Sequence, residues 1–195
     1  MINRLVIYLL EMFPLSAIAG SMITAVSIQL IYLKLFGVRP TSIPALCIPG
    51  IVITSISLLI RIMDEFKDYE DDLTNFPTRP LPSGRVKKND LKVLGIACVF
   101  LILFLSVQSI KLLFWATITL AFTFLMLKWF FIESIMRKNL PLAFITHHPI
   151  VLFNFIYLLL ACTVFDDRVT LEKAWMILPI CRNIVTGKQI GRAHV

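Results

Sequence analysis

The apolar positions of this chain gather into long runs and do not alternate with polar ones. Nearly uncharged stretches cover 14–36, 43–63, 91–109, 112–131 and 141–165, and a sixth begins near 174 and is cut short. Each complete run is close to the ~20 residues that span a bilayer as a helix. A membrane barrel would show period-two alternation, which is absent here. The pattern predicts an all-α polytopic transmembrane bundle with five complete spans and a truncated sixth. Pro14, Pro44, Pro49 and Pro141 fall near the predicted helix starts, where proline is tolerated. The opening "MINRLVIYLLEMFP" has one basic residue and no small-residue cleavage site, so it reads as an uncleaved first helix.

Composition agrees with the pattern. Of 195 residues, 58% are hydrophobic, above the ~45–50% of soluble domains, and the mean hydropathy is +0.85. The net charge of +7 would suggest nucleic acid in a soluble protein. Here the basic residues lie between apolar runs, so they set topology and meet anionic lipid or substrate; no nucleic-acid partner is expected. Arg4, seven residues from Arg61 to Lys92, and Lys128, Arg137 and Lys138 put eleven Lys and Arg on one side. Lys34, Arg39, Lys111, Arg168 and Lys173 put five on the other. The first side is expected to be cytoplasmic. Cys47, Cys98, Cys162 and Cys181 are far apart with no Cys-x-x-Cys, and read as small buried hydrophobes.

The polar segment 64–90 carries the chemistry. "DEFKDYEDD" (64–72) holds six of the twelve acidic residues, directly after an uncharged run. If the second span continues through residue 72, the 100° turn per residue puts Asp64, Asp68 and Asp72 on one face, with Glu65 beside it. Four carboxylates on one stripe repel unless a cation sits among them. Oxygen donors without His or Cys suit Mg²⁺, which takes a few carboxylates plus phosphate oxygens. The following loop, "RPLPSGR" (79–85), supplies Arg79 and Arg85, and Lys87 and Lys88 follow it. These cations suit a phosphate. Pro77, Pro80 and Pro82 stiffen the loop, and Gly84 permits a tight turn. A substrate with a diphosphate head and an apolar tail fits this arrangement. Glu70 and Asp71 point elsewhere and read as solvating charge.

The two motifs together resemble the UbiA superfamily of intramembrane prenyltransferases. Its first motif is Asn-Asp-x-x-Asp-x-x-x-Asp on the second helix, followed by an Arg-Pro-(Leu/Ile)-Pro-Ser-Gly loop. Here Asp64 stands in the Asn place and Glu65 in the first Asp place, while Asp68, Asp72 and residues 79–84 match. The resemblance implies a nine-helix fold, of which this chain covers helices one to five. It implies that Asp64, Glu65, Asp68 and Asp72 hold Mg²⁺, with Asp68 and Asp72 catalytic. It also implies an isoprenyl diphosphate donor and an aromatic or other small acceptor, as in quinone-type biosynthesis, at a cytoplasm-facing site of a multi-pass membrane protein. The domain is expected over 1–188. Residues 190–195, back-translated, resemble a sequencing-library adapter, so 189–195 reads as a non-native tail. The family's second Asp-rich motif would follow the sixth helix, so this length of chain is expected to be inactive by itself.

Two rivals weigh less. A CDP-alcohol phosphotransferase needs Asp-Gly-x-x-Ala-Arg ahead of its later aspartates, which the chain lacks. A transporter or scaffold would place ionisable residues mid-membrane, and these spans are nearly free of charge. His147 and His148 read as helix-entry residues, Asn154 and Tyr157 as bonds to neighbouring helices, and Glu133–Arg137 as a surface ion pair.

Overall fold

The computed structural model describes residues 1–38, 42–136 and 138–165. Arg39, Arg137, Arg168, Lys173, Cys181, the sixth apolar run and the 189–195 tail lie outside the described residues. So do one partner of the expected Glu133–Arg137 pair and the far end of the expected 1–188 domain.

The expected all-helical bundle is found, and the described residues contain no strand. The helices are α1 (Ile2–Met12), α2 (Leu15–Leu35), α3 (Ile43–Lys67), α4 (Tyr69–Asn75), α5 (Lys88–Ser106), α6 (Ile110–Leu127), α7 (Glu133–Met136), α8 (Leu140–His147) and α9 (Pro149–Phe165). Five helical stretches are long and apolar enough to cross a membrane: α2, α3, α5, α6 and the α8–α9 run Pro141–Val164. They coincide with the five predicted runs.

Helix boundaries follow local chemistry. Pro14 ends the approach to α2 and separates α1 from it as a helix of its own. Ser42 caps α3 by accepting from the Ala45 amide at 3.3 Å, and Pro44 sits in the first turn. Asn139 caps α8 by accepting from Leu142 at 3.1 Å. Pro49 differs from expectation: it lies inside α3 and is buried. The fifth span is also not one straight helix, because it is interrupted at His148, before Pro149. A proline lacks an amide to bond the turn behind it, which permits such an interruption. His147 is therefore the last residue of α8, just ahead of the start of α9.

The central helix is α3, packed most extensively against α5 and α2 and also touching α6 and α9. Its buried Val52, Ile56, Leu59 and Ile62 form much of the core. Gly50 allows α2 to come close, since a Cβ there would stand 3.1 Å from Met22. Polar bonds tie the helices: Gln29 donates to the Leu46 carbonyl at 2.9 Å, and Ser21 meets Thr54 at 2.8 Å. The outer faces carry exposed Ile23, Phe104 and Phe114, as a lipid-facing surface does. Cys98 and Cys162 are buried and Cys47 is half-buried, none in a disulfide.

Tyr157 bonds to Ser106 at 2.9 Å, joining α9 to α5 as the sequence suggested. The Ser106 hydroxyl donates to Ile102 O at 2.7 Å, so Tyr157 is the donor in the pair. Tyr157→Phe is expected to lower unfolding free energy in detergent by about 0.6 kcal/mol, the average for such bonds in membranes. A double-mutant cycle with Ser106→Ala checks it. Asn154 makes no such bond: its Oδ1 is buried with no hydrogen-bond partner among the described residues.

Candidate active site

The acidic segment and the basic loop meet at one end of the bundle. The chain bends where α3 ends: Asp68 has φ −101° and ψ 13°, and α4 begins at Tyr69. The backbone ladder survives the bend, with Asp68 N donating to Asp64 O at 2.9 Å and Asp72 N to Asp68 O at 2.8 Å. The three aspartates stay one turn apart along the backbone.

Each carboxylate takes a different surrounding. Asp72 is buried and receives Arg79 Nη1 on both oxygens, at 2.7 and 2.8 Å. Glu65 is buried and accepts from Arg61 at 2.6 Å, while its Oε2 has no hydrogen-bond partner among the described residues. Asp64 is half-buried, with Lys67 Nζ 3.8 Å away. Asp68 is half-buried as well. A carboxylate leaving water is costly unless a guanidinium meets it, which explains why buried Glu65 and Asp72 each hold an arginine.

The loop 77–86 is folded by its own turns. Ser83 N bonds Arg79 O at 3.0 Å, and Val86 N bonds Pro80 O at 2.9 Å. Buried Leu81 and Val86 pin it to the bundle. Gly84 has φ +77°, a conformation that disfavours any residue with a Cβ, as the sequence indicated. Arg79 lies 4.0 Å from the Phe76 ring centroid and Lys88 lies 3.4 Å from that of Tyr69. Arg85 donates to both Glu11 oxygens, one at 2.8 Å, and to Thr78 O at 2.6 Å. Lys87 is exposed at the start of α5.

Helix α1 is the part of the site that sequence reading missed. Arg4 forks onto buried Asp90 at 2.6 and 3.0 Å, and Glu11 holds Arg85, so α1 is clamped onto the loop and α5. Tyr8, between those clamps, is fully buried, and its hydroxyl also lacks a hydrogen-bond partner among the described residues. Burial raises the Tyr8 pKa, and the nearby Glu65 charge adds to the rise. The Arg85 hydrogen bond lowers the Glu11 pKa. That contact is therefore complete above the ordinary glutamate range and lost as pH falls through the lowered value. Among the signals available, only the i, i+7 spacing of Arg4 and Glu11 hinted that α1 carries charges to be paired.

A second cluster flanks Asp64. Lys67 lies 3.9 Å from the Trp129 ring centroid, and His147 packs against Trp129 and Phe130. His147 Nδ1 donates to the Ala143 carbonyl at 2.7 Å. Trp129, Phe130 and Phe131 all have positive φ, a left-handed turn that puts the end of α6 beside the end of α3.

The donor set suits a hard cation in kind, being carboxylate oxygen without nitrogen or sulfur. The orphaned Glu65 Oε2 is a buried acceptor that a cation would satisfy. Among the described residues no three His, Cys, Asp or Glu side chains gather as a metal cage. Mg²⁺ does not need one when phosphate oxygens and water complete its shell, so the residues fit a metal that arrives with a diphosphate.

No protein-family model matches the chain, and no curated protein matches it. Its fold does match a solved structure of digeranylgeranylglyceryl phosphate synthase, described in membranes, with a TM-score of 0.65. Identity is 22%, over 97% of this chain and 67% of that one. The chain thus shares the helical fold of that structure, and its five long apolar helices are those of an integral membrane protein.

Proposed function

We propose that the protein transfers an isoprenyl group from a polyprenyl diphosphate to an aromatic or other small acceptor within the membrane, with Mg²⁺. The observation that carries this reading is the direct contact of the acidic segment with the basic loop, Asp72 on Arg79, at a bundle end beside buried Glu65. A diphosphate needs both kinds of group together, and an apolar tail needs the helices next to them.

In this reading Asp64, Glu65, Asp68 and Asp72 would hold the metal. Bound Mg²⁺ supplies charge stabilisation for the departing diphosphate. Arg79 is held at Asp72 until phosphate oxygens compete for its guanidinium; the exchange would release both Asp72 oxygens. Arg85, Lys87 and Lys88 stand along the same loop and helix start to neutralise the remaining phosphate charge. The allylic C–O bond breaks with its electron pair leaving on the diphosphate. The resulting carbocation is attacked by the acceptor, which then loses a proton. The surrounding apolar helices keep water from the cation. The cytoplasm is the side expected to deliver both substrates, from the distribution of basic residues.

The test is the purified protein given radiolabelled isoprenyl diphosphate with a panel of acceptors: hydroxybenzoate, naphthoate, homogentisate, a porphyrin and a phosphosugar. Labelled product should form with Mg²⁺, vanish with EDTA and return when Mg²⁺ is restored. Stable, folded protein that neither transfers the label nor releases diphosphate with any acceptor would overturn the assignment.

A further inference from the structure

An apolar groove lies away from the carboxylates. It has a volume of about 460 Å³ and runs between α3, α5 and α6. Leu59 and Ile62 form one wall, Phe124 another, and Gly95 the floor, with Phe100 and Lys92 at its edges. Its volume falls in the ~300–1,000 Å³ range of small-molecule pockets. At 100° per residue, Arg61, Asp64 and Glu65 lie about 110–150° round α3 from the face bearing Leu59, Ile62, Met63 and Phe66. The groove is therefore on the other side of α3 from the candidate active site.

The groove exists because position 95 has no side chain. A Cβ there would already touch Ile62 and Leu59 at 3.7 Å, so anything longer would fill the space. It opens sideways past Phe100 and Phe124, which are 69% and 46% exposed and face the expected hydrocarbon region. At its headgroup end stands a cation, Lys92, in the second turn of α5. Lys92 is exposed and takes part in none of the ion pairs formed among the described residues. The nearest carboxylate along α5, Asp90, is occupied by Arg4.

We propose that this groove is a binding site for an anionic membrane phospholipid, with one acyl chain laid over Gly95 and the headgroup phosphate on Lys92. A purely apolar groove would accept any chain. The uncompensated lysine at the interface selects for negative charge, because a basic residue near the membrane surface favours an anionic lipid by about fivefold. The inference does not depend on the proposed prenyl transfer, as none of its residues is assigned to that reaction.

The test uses the full chain in phosphatidylcholine nanodiscs, doped with trace phosphatidylglycerol or phosphatidylcholine carrying the same chain-borne diazirine. After irradiation, mass spectrometry maps the labelled peptides. The phosphatidylglycerol probe should label 91–100 and 124–127 about fivefold more than the phosphatidylcholine probe. Lys92→Gln should abolish that preference, and Lys92→Arg should keep it. Gly95→Leu should remove groove labelling by both probes while circular dichroism and gel filtration show a folded protein. Equal labelling by the two probes in the wild type would mean ordinary boundary lipid and would overturn the proposal. So would an unchanged preference in Lys92→Gln, or displacement of the probe by millimolar inorganic phosphate, which would mark a free-anion site.

Discussion

Asp68→Asn is expected to lower isoprenyl transfer by about two to three orders of magnitude while leaving the protein folded. Losing one preorganised electrostatic partner of a developing charge costs about that much. Asp68 is half-buried and sits where α3 gives way to α4, with its backbone ladder satisfied independently of the carboxylate. The amide should therefore be tolerated structurally. Asp72→Asn is expected to be equally inactive but also less stable. Its carboxylate is the double acceptor for Arg79, and removing one member of a largely buried pair leaves the other uncompensated. The comparison separates two roles. If Asp72 only supports Arg79, activity will track the folded fraction; if it also holds metal, activity will fall further than folding does. Full turnover in folded Asp68→Asn would remove that residue from the proposed metal ligands.

Single cysteines at 75 and 139, in a background with the native cysteines replaced, should react with a membrane-impermeant maleimide only when the cytoplasmic face is open. One at 108 should react only from outside. The expected contrast is all or none, because a thiol on the wrong side is shielded by the bilayer. Asn75 ends α4 and Asn139 caps α8, both at the bundle end where Lys67 meets Trp129. Gln108 lies in the turn between α5 and α6 and is exposed at the other end. Which end faces the cytoplasm comes from the eleven-to-five basic bias. Labelling of position 75 on intact cells would reverse the orientation and place the proposed diphosphate site on the far side of the membrane.

How much of this was legible beforehand depended on the range of the interaction concerned. The five spans could be read because burial in lipid demands ~20 apolar residues in succession, and that demand is written locally. Gly84 could be read for the same reason, since a positive φ is a property of one residue. The carboxylate spacing was legible too. The partners were not: a periodicity argument assumes an unbroken helix with side chains meeting solvent or metal. In the structure Asp72 instead meets Arg79, seven residues on, and Arg85 meets Glu11, 74 residues back.

The chain's own order of residues was enough to determine a polytopic helical protein, its acidic and basic motifs and their place at a span's end. Each of these depends on composition within a window of one helix. Only the tertiary structure decided that α1 folds back to pair Arg4 with Asp90 and Glu11 with Arg85, that the fifth span is interrupted at His148, and that a groove opens over Gly95 behind the acidic face. Those features depend on which helix surfaces meet. Many apolar surfaces are interchangeable by hydrophobicity alone, and their shapes choose among them only when all the neighbours are in place.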